Sequence, residues 1–294
     1  MFRASGTQMK ALVALPQRAF SAKAGSGGLA GPKITGVLRF YKDVGVKDVE
    51  EAAEDGGEPR KLFAVTLDGK AVKTPRQQPV RLPTRAMAFA VAHEWDAQSH
   101  DIRPATMPIM TLASTALDLV YTSSSKETID EMMHYFHTDT VCYQVTADQQ
   151  DKLVALQQKK WAPIRKWFAA AFDGEVDVSH GTITSLAHDE QLVTNVRGHL
   201  EKLTAMRTLT KECKAHAASA MGCFVVCLQS LITALALFKR HITSKEAMEL
   251  CRLEEEFQID NWGLVEGGHD LDRVNASVKI SSASLLLYLL ENKH

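Results

Sequence analysis

Cysteine is scarce in this chain and scattered where it occurs. The five residues (Cys142, Cys213, Cys223, Cys227 and Cys251) among 294 include no CxxC pair, which excludes a thioredoxin-type redox motif and a zinc ribbon. An odd, dispersed set reads as buried free thiols in a reducing compartment. A surplus of charge is also missing. With 34 basic and 35 acidic residues the net charge is −1, which argues against a nucleic-acid binder held mainly by phosphate contacts. No Gly-x-Ser-x-Gly elbow and no dinucleotide fingerprint occurs. Gly31-Pro32-Lys33 lacks the Gly-Lys-[Ser/Thr] sequence and the preceding strand of a phosphate loop. His93-Glu94 opens like a zinc-protease helix, but Ala97 stands where the second histidine belongs. No carboxylates form a recognisable acid/base pair, so the expectation is a protein that is not an enzyme.

Acid is absent from the first forty-two residues, which carry seven basic ones: Arg3, Lys10, Arg18, Lys23, Lys33, Arg39 and Lys42. Phe2, Met9, Leu12, Val13 and Leu15 can share one face of a short helix with the basic residues opposite. This is the composition of a mitochondrial transit peptide, and Arg18-Ala-Phe-Ser21 resembles a matrix-processing site. Residues 1–20 are therefore expected to be a leader, and residues 21–33, rich in Gly, Ala and Ser, a flexible linker. The remainder belongs to a chain that is 45% apolar and 23% charged, enough to build its own core without a metal or disulfide staple.

The expected fold class is α+β: a small N-terminal β-containing domain (34–105) followed by an all-helical bundle (106–294). Leu38–Val46 reads as a strand and Asp48–Arg60 as an acidic loop. Leu62–Leu67, Asp68-Gly69 and Lys70–Lys73 make a hairpin, because Asp-Gly supplies the positive φ angles of a tight turn. Val80–Leu82 adds an edge strand. Thr84 is placed to N-cap a helix running to about Gln98. Prolines at 104 and 108 mark a hinge. Helices are expected over Ile109–Val120, Lys126–Phe136, Gln149–Lys160, Pro163–Phe172, Asp189–Ala205, Thr210–Lys239, Ser244–Trp262 and Leu271–Leu290, with Pro163 opening its helix and Thr243 and Glu246 forming a capping box. Glu175–Thr184 is an extended interruption. Ala215–Phe238 holds no Lys, Arg, Asp or Glu over 24 residues and is long enough to cross a bilayer. Its internal Ser219, Gln229, Ser230 and Thr233 favour a buried central helix instead.

Two clusters could bind a partner. Glu94-Trp95-Asp96 sets an indole between two acids at a helix end. In Arg252-Leu-Glu-Glu-Glu-Phe-Gln-Ile-Asp-Asn-Trp-Gly263, the residues Leu250, Leu253 and Phe257 form the buried stripe, while Glu255, Gln258 and Trp262 repeat that spacing on another face. Tryptophan dominates interface hot spots, so this face is a candidate binding surface. The alternative is a solvated acidic face with Trp262 tucked against a neighbouring helix. A metal site would need His134, His137 and Cys142 to converge with a further ligand.

The same residues carry a family resemblance. Arg39-Phe-Tyr-Lys-x-Val-x-Val46, Leu67-Asp-Gly-Lys, Lys73-Thr-Pro75, Leu82-Pro-Thr-Arg-Ala-Met-Ala, Glu94-Trp-Asp-Ala-Gln98 and Ile102-x-Pro-x-x-Met-Pro108 occur in order. Thr138-Asp139, Cys142-Tyr143, Gln157-x-x-x-Trp161-x-Pro163 and Glu254-Glu-Glu-Phe-Gln-Ile-x-x-Trp-Gly263 follow. From Arg39 to the C-terminus the chain resembles the assembly-factor family that chaperones the alpha subunit of the mitochondrial ATP synthase. It departs at the Gly- and acid-rich insert Glu50–Pro59 and at Phe257. The resemblance implies a monomeric matrix protein without cofactor, nucleic acid or integral membrane association. It implies binding of the free alpha subunit until beta replaces it; the partner-binding residues expected from the two clusters are Glu94, Trp95, Asp96, Glu254, Glu255, Glu256, Gln258, Trp262 and Gly263.

Overall fold

The computed structural model describes residues 37–51, 59–122, 125–205, 211–264 and 269–291. The expected leader and linker, and most of the acidic insert, lie outside these. The chain is an α+β protein. Strands β1 (Val44–Glu51), β2 (Arg60–Leu67), β3 (Lys70–Ala71) and β4 (Arg81–Leu82) form an antiparallel sheet in which β2 pairs with each of the others. The register runs from Val44 opposite Leu67 to Glu51 opposite Arg60. The first strand thus lies later than Leu38–Val46 and takes in residues expected to be loop. Its acids are accommodated because strand cations meet them: Lys61 reaches Asp48 at 2.9 Å and Arg81 reaches Glu51 at 2.5 Å.

The Asp-Gly turn forms as expected, with φ of 48° at Asp68 and 80° at Gly69. The Asp68 carboxylate also accepts from the Lys42 and Asp43 amides at 3.0 and 2.8 Å. Helix α1 (Arg85–Asp96) starts at Thr84, whose hydroxyl accepts from Met87 N. Met87, Ala88, Val91, Ala92 and Trp95 face the core.

Helices α2 (Pro108–Thr122), α3 (Ser125–Phe136), α4 (Ala147–Phe172), α5 (Glu190–Ala205), α6 (Lys211–Leu228), α7 (Leu231–Phe238), α8 (Ser244–Cys251), α9 (Leu253–Trp262) and α10 (His269–Glu291) follow. A two-residue parallel pair joins β5 (Tyr143–Gln144) to β6 (Ser179–His180), and β6 falls within the expected extended interruption. One apolar cluster runs from Tyr41 through Val65, Trp95 and Leu231 to Leu290.

Three helix boundaries differ from expectation. Pro163 lies inside α4 and does not begin a new helix. The missing N–H is tolerated because Trp161, Ile164 and Phe168 anchor both sides of it in the core, with Trp161 Nε1 donating to Leu250 O at 2.9 Å. The expected helix Thr210–Lys239 is two helices. Gln229 adopts a left-handed φ of 52°, and Ser230 caps α7 by accepting from Thr233 N at 3.0 Å. Asp139, fully buried, adds a second cap by accepting from Ile232 N at 2.9 Å. The polar residues in that uncharged stretch therefore stop one helix and start the next, and Gln229 is exposed. Among the described residues no helix is long and apolar enough to cross a membrane. Finally, Ser244–Trp262 divides at Arg252, where α8 ends and α9 begins; the Thr243–Glu246 capping box opens α8 as expected.

Candidate functional site

The α9 region is built from Arg252 outward. This buried arginine donates to Glu255 Oε1 at 2.5 Å and to Glu256 Oε1 at 3.3 Å. The three acids occupy the first turn of α9, where negative charge suits the exposed amide ends. They do not form one open acidic patch. Glu254 turns inward, accepting from Gln157 Nε2 at 2.6 Å, and Gln157 in turn accepts from Val145 N at 3.1 Å. Burial raises the Glu254 pKa, opposed by the Gln157 hydrogen bond. Glu256 is claimed by Arg273 of α10, whose Nε donates at 3.0 Å. Burial works against its ionised form, but the Arg273 and Arg252 hydrogen bonds prevail and hold its pKa below the ordinary glutamate value.

Leu250 and Leu253 are buried and Phe257 packs partly against the core, so the stripe expected to hold this helix down does so. Gln258 and Trp262 stand on the open side, and Glu255 is half-buried on it. Trp262 is 66% exposed and is not tucked against a neighbour. Gly263 ends the helix at φ 85°, a left-handed value that favours glycine. Leu264 follows, exposed.

The Arg273–Glu256 pair ties the start of α10 to α9. Along α10, Leu271 (64%), Val274 (61%), Val278, Leu285 and Tyr288 are all exposed. Their spacing of 3, 4, 7 and 3 places them on one face. Ile280, Ala283, Leu286 and Leu290 are buried on another. This apolar stripe is a feature that sequence reasoning missed. Its heptad spacing was visible, but a helix with apolar residues on two faces does not announce which one is left open.

The other cluster is divided between interior and surface. Glu94 is buried, and its two oxygens accept from Ile109 N at 2.8 Å and Met110 N at 2.7 Å, capping α2 from fifteen residues upstream. Burial raises its pKa to about 7 against the pull of those two amides. Trp95 is buried edge-on to Tyr41 at 5.7 Å, and the Tyr41 hydroxyl donates to Trp95 O at 2.7 Å. Asp96 alone is open, with Arg39 donating to its carbonyl at 2.9 Å. As for the metal candidates, His134 is exposed and His137 Nδ1 faces the Leu186 carbonyl at 3.4 Å. Cys142 is fully buried, where desolvation drives its thiol pKa well up.

Comparison with known proteins gives consistent matches. A family model described as ATP12 chaperone protein matches residues 38–169. Protein atp12, mitochondrial, of Schizosaccharomyces pombe is 26% identical over 238 residues, covering 78% of this chain and 78% of that protein. Protein ATP12, mitochondrial, of Saccharomyces cerevisiae is 22% identical over 280 residues, 85% and 83% of the two chains. The crystal structure of Atp12 from Paracoccus denitrificans superposes with a TM-score of 0.71 at 26% identity, covering 86% of this chain and 98% of that one. With the small antiparallel sheet, the helices that follow it and these matches, the chain is similar to the ATP12 chaperone proteins over most of its length.

Proposed function

We propose that this chaperone holds the free alpha subunit of the mitochondrial ATP synthase in the matrix until the beta subunit takes its place, acting by binding alone as a monomer. The observation that carries this reading is the exposed apolar side chains at the end of α9 and the start of α10, Trp262, Leu264, Leu271 and Val274, with the Arg273–Glu256 pair linking the two helices. Exposed apolar groups gathered in one place mark association sites. A subunit not yet joined to its neighbour exposes apolar surface of its own, and a transient cover suppresses its aggregation. The half-buried ion pairs bordering the site keep it polar at the rim, which suits a reversible contact.

In this proposal Glu255, Gln258, Trp262 and Gly263 meet the client. Glu254 and Glu256 fix α9 through Gln157 and Arg273. Glu94 and Trp95 act from inside, by setting the α1–α2 junction, and only Asp96 is available to a partner. The division into an α+β part (34–105) and a helical part (106–294), and a leader ending near residue 20, belong to the same proposal. The relatives named above are mitochondrial by name, and the acid-free N-terminus supports import into the matrix.

The test is co-purification from mitochondria depleted of the beta subunit. The alpha subunit should accumulate on this chain, and mature protein should begin near Ser21. Recovery of the chain without alpha subunit under that depletion would overturn the proposal.

A further inference from the structure

A polar cleft of about 260 Å³ opens where the end of α4 (Phe172, Asp173), the later part of α5 (Asn195, His199, Lys202) and Lys239 just after α7 come together. The Lys202 and Lys239 ammoniums enter no ion pair among the described residues, although the neighbouring Arg240 does, with Glu291. Lys239 stands over the Phe172 ring at 5.3 Å, and both lysines bear electrostatically on His199. The His199 ring packs edge-on to Phe172 at 5.4 Å, and its Nε2 is buried without a hydrogen-bond partner. Such an orphaned atom is costly, and a ligand atom that reached it would lift the cost. Asp173 lines the cleft as well, but it pairs with neither lysine and is not among the groups that act on the imidazole.

The helix ends beside the cleft do not account for the lysines. Cations often stand at helix C-termini to meet unpaired carbonyls, but here those carbonyls have partners. Asn195 Nδ2 donates to Phe172 O at 2.8 Å, and Gly174 N to Ala169 O at 3.2 Å. The amides of Lys239, Arg240 and His241 donate to Leu235 O, Leu237 O and Ala236 O. Two unpaired ammoniums around one cleft call for an anion. Burial first, and then the two ammoniums, disfavour the protonated imidazole and hold its pKa below the ordinary histidine value. A neutral imidazole has an acceptor nitrogen as well as a donor. The hydrogen phosphate dianion brings both charges and still has a proton to donate. Sulfate and the dianion of a phosphate ester bring the charges without that proton, and a single carboxylate brings too little charge.

We propose that this cleft binds inorganic phosphate, with Lys202 and Lys239 donating to the oxygens of the dianion and His199, turned toward the cleft, accepting from its P–OH through Nε2. The charge-assisted contacts to the lysines supply most of the affinity, and the imidazole supplies the choice of phosphate over other dianions. None of these residues belongs to the α9–α10 surface, so the site does not depend on the client's identity.

The test is calorimetric titration of the full chain with inorganic phosphate, at slightly alkaline pH in a chloride buffer free of other oxyanions. One phosphate should bind per chain. Lys202→Gln and Lys239→Gln should each weaken binding about tenfold or more. Lys160→Gln, which removes a lysine already paired with Glu249, should leave it unchanged, and Asp173→Asn should tighten it. Sulfate and methyl phosphate should bind about tenfold more weakly than phosphate. His199→Leu should abolish that preference, a change that a packing role would not produce. Should a variant fold poorly, the native chain gives an independent readout by NMR: phosphate should move the His199 ring resonances and leave those of the other histidines in place. Absence of binding at millimolar phosphate overturns the proposal. So does equal binding of sulfate or methyl phosphate, equal loss in Lys160→Gln, or a His199 signal that stays still while phosphate binds.

Discussion

Helices α7 and α10 are both rich in leucine, yet they treat their apolar residues in opposite ways. Every side chain from Leu231 to Leu237 is buried, enclosed by α3, α4, α6 and α8. Helix α10 packs one side on α6 and α2 and leaves Leu271, Val274, Val278, Leu285 and Tyr288 in solvent. Burying such a side chain contributes about 1.5–3 kcal/mol, so the open stripe forgoes stability that α7 collects in full. Apolar content therefore does not tell which helix holds the fold together and which one is kept available. What separates them is how the neighbours are placed, around the whole of α7 but leaving one face of α10 open, and, for α7, the carboxylate of Asp139 at its start.

The sharpest way to break this contrast is to place the same charge in each helix. Leu231→Asp sets an unpaired carboxylate in the core and should cost about 4 kcal/mol or more, giving insoluble protein or unfolding at low urea. Val274→Asp should change stability by only about 0.5 kcal/mol. Equal urea midpoints for the two variants would sink the distinction.

A smaller loss is expected from Asp139→Ala, which strips the buried acceptor from Ile232 N and Val141 N. The unmet amides should cost about 1–3 kcal/mol, read as a drop in the denaturation midpoint, with Asp139→Asn recovering part of it.

Glu94 contributes a dependence on pH. Its native pKa of about 7 stands above the ordinary 4.5 because burial favours the neutral acid. Between those values the native state binds more protons than the unfolded chain, so stability falls as pH rises from about 4.5 to about 7 and is level above. Asp139, also raised to about 7 by burial, acts in the same direction. Glu94→Gln should make urea midpoints measured from about pH 5 to about pH 8 less steep. An unchanged slope would mean that the group stays ionised in the fold.

The least effect on stability should come from Trp262→Ala, because the indole is mostly in water. Its effect should appear in binding instead: about 2 kcal/mol, or roughly thirtyfold weaker capture of the alpha subunit, measured by pull-down beside a thermal melt. A large fall in melting temperature would make Trp262 a packing residue and move it to the side of α7.

How much was legible in the sequence follows from how local each signal is. The Asp68-Gly69 turn, the Thr84 cap and the Thr243–Glu246 box each work within four residues, and all are present. The break at Gln229 depends on Thr140, which donates to its carbonyl from 89 residues away, and on Asp139. Neither is visible in a window around the helix. The open face of α9 was readable by period, since Leu250, Leu253 and Phe257 mark the opposite side. The fate of its acids was not, because Gln157 and Arg273 come from distant segments. Glu94 and Trp95 read as surface residues beside Asp96, yet the α2 amides and Tyr41 claim them.

The hydrogen bonds that join distant parts share a direction along the chain. Glu94 awaits Ile109 and Met110, Asp139 awaits Ile232, and the Thr84 hydroxyl donates to Leu289 O across 205 residues. In a chain that emerges N-terminus first, the upstream group is always in place before its mate, and the Thr84–Leu289 latch is among the last to close. The helix that completes this latch is also the one bearing the open apolar stripe. A truncated or half-made molecule therefore cannot display the stripe in its finished setting, and the grip on a client proposed above would come into being only when the holder is itself complete.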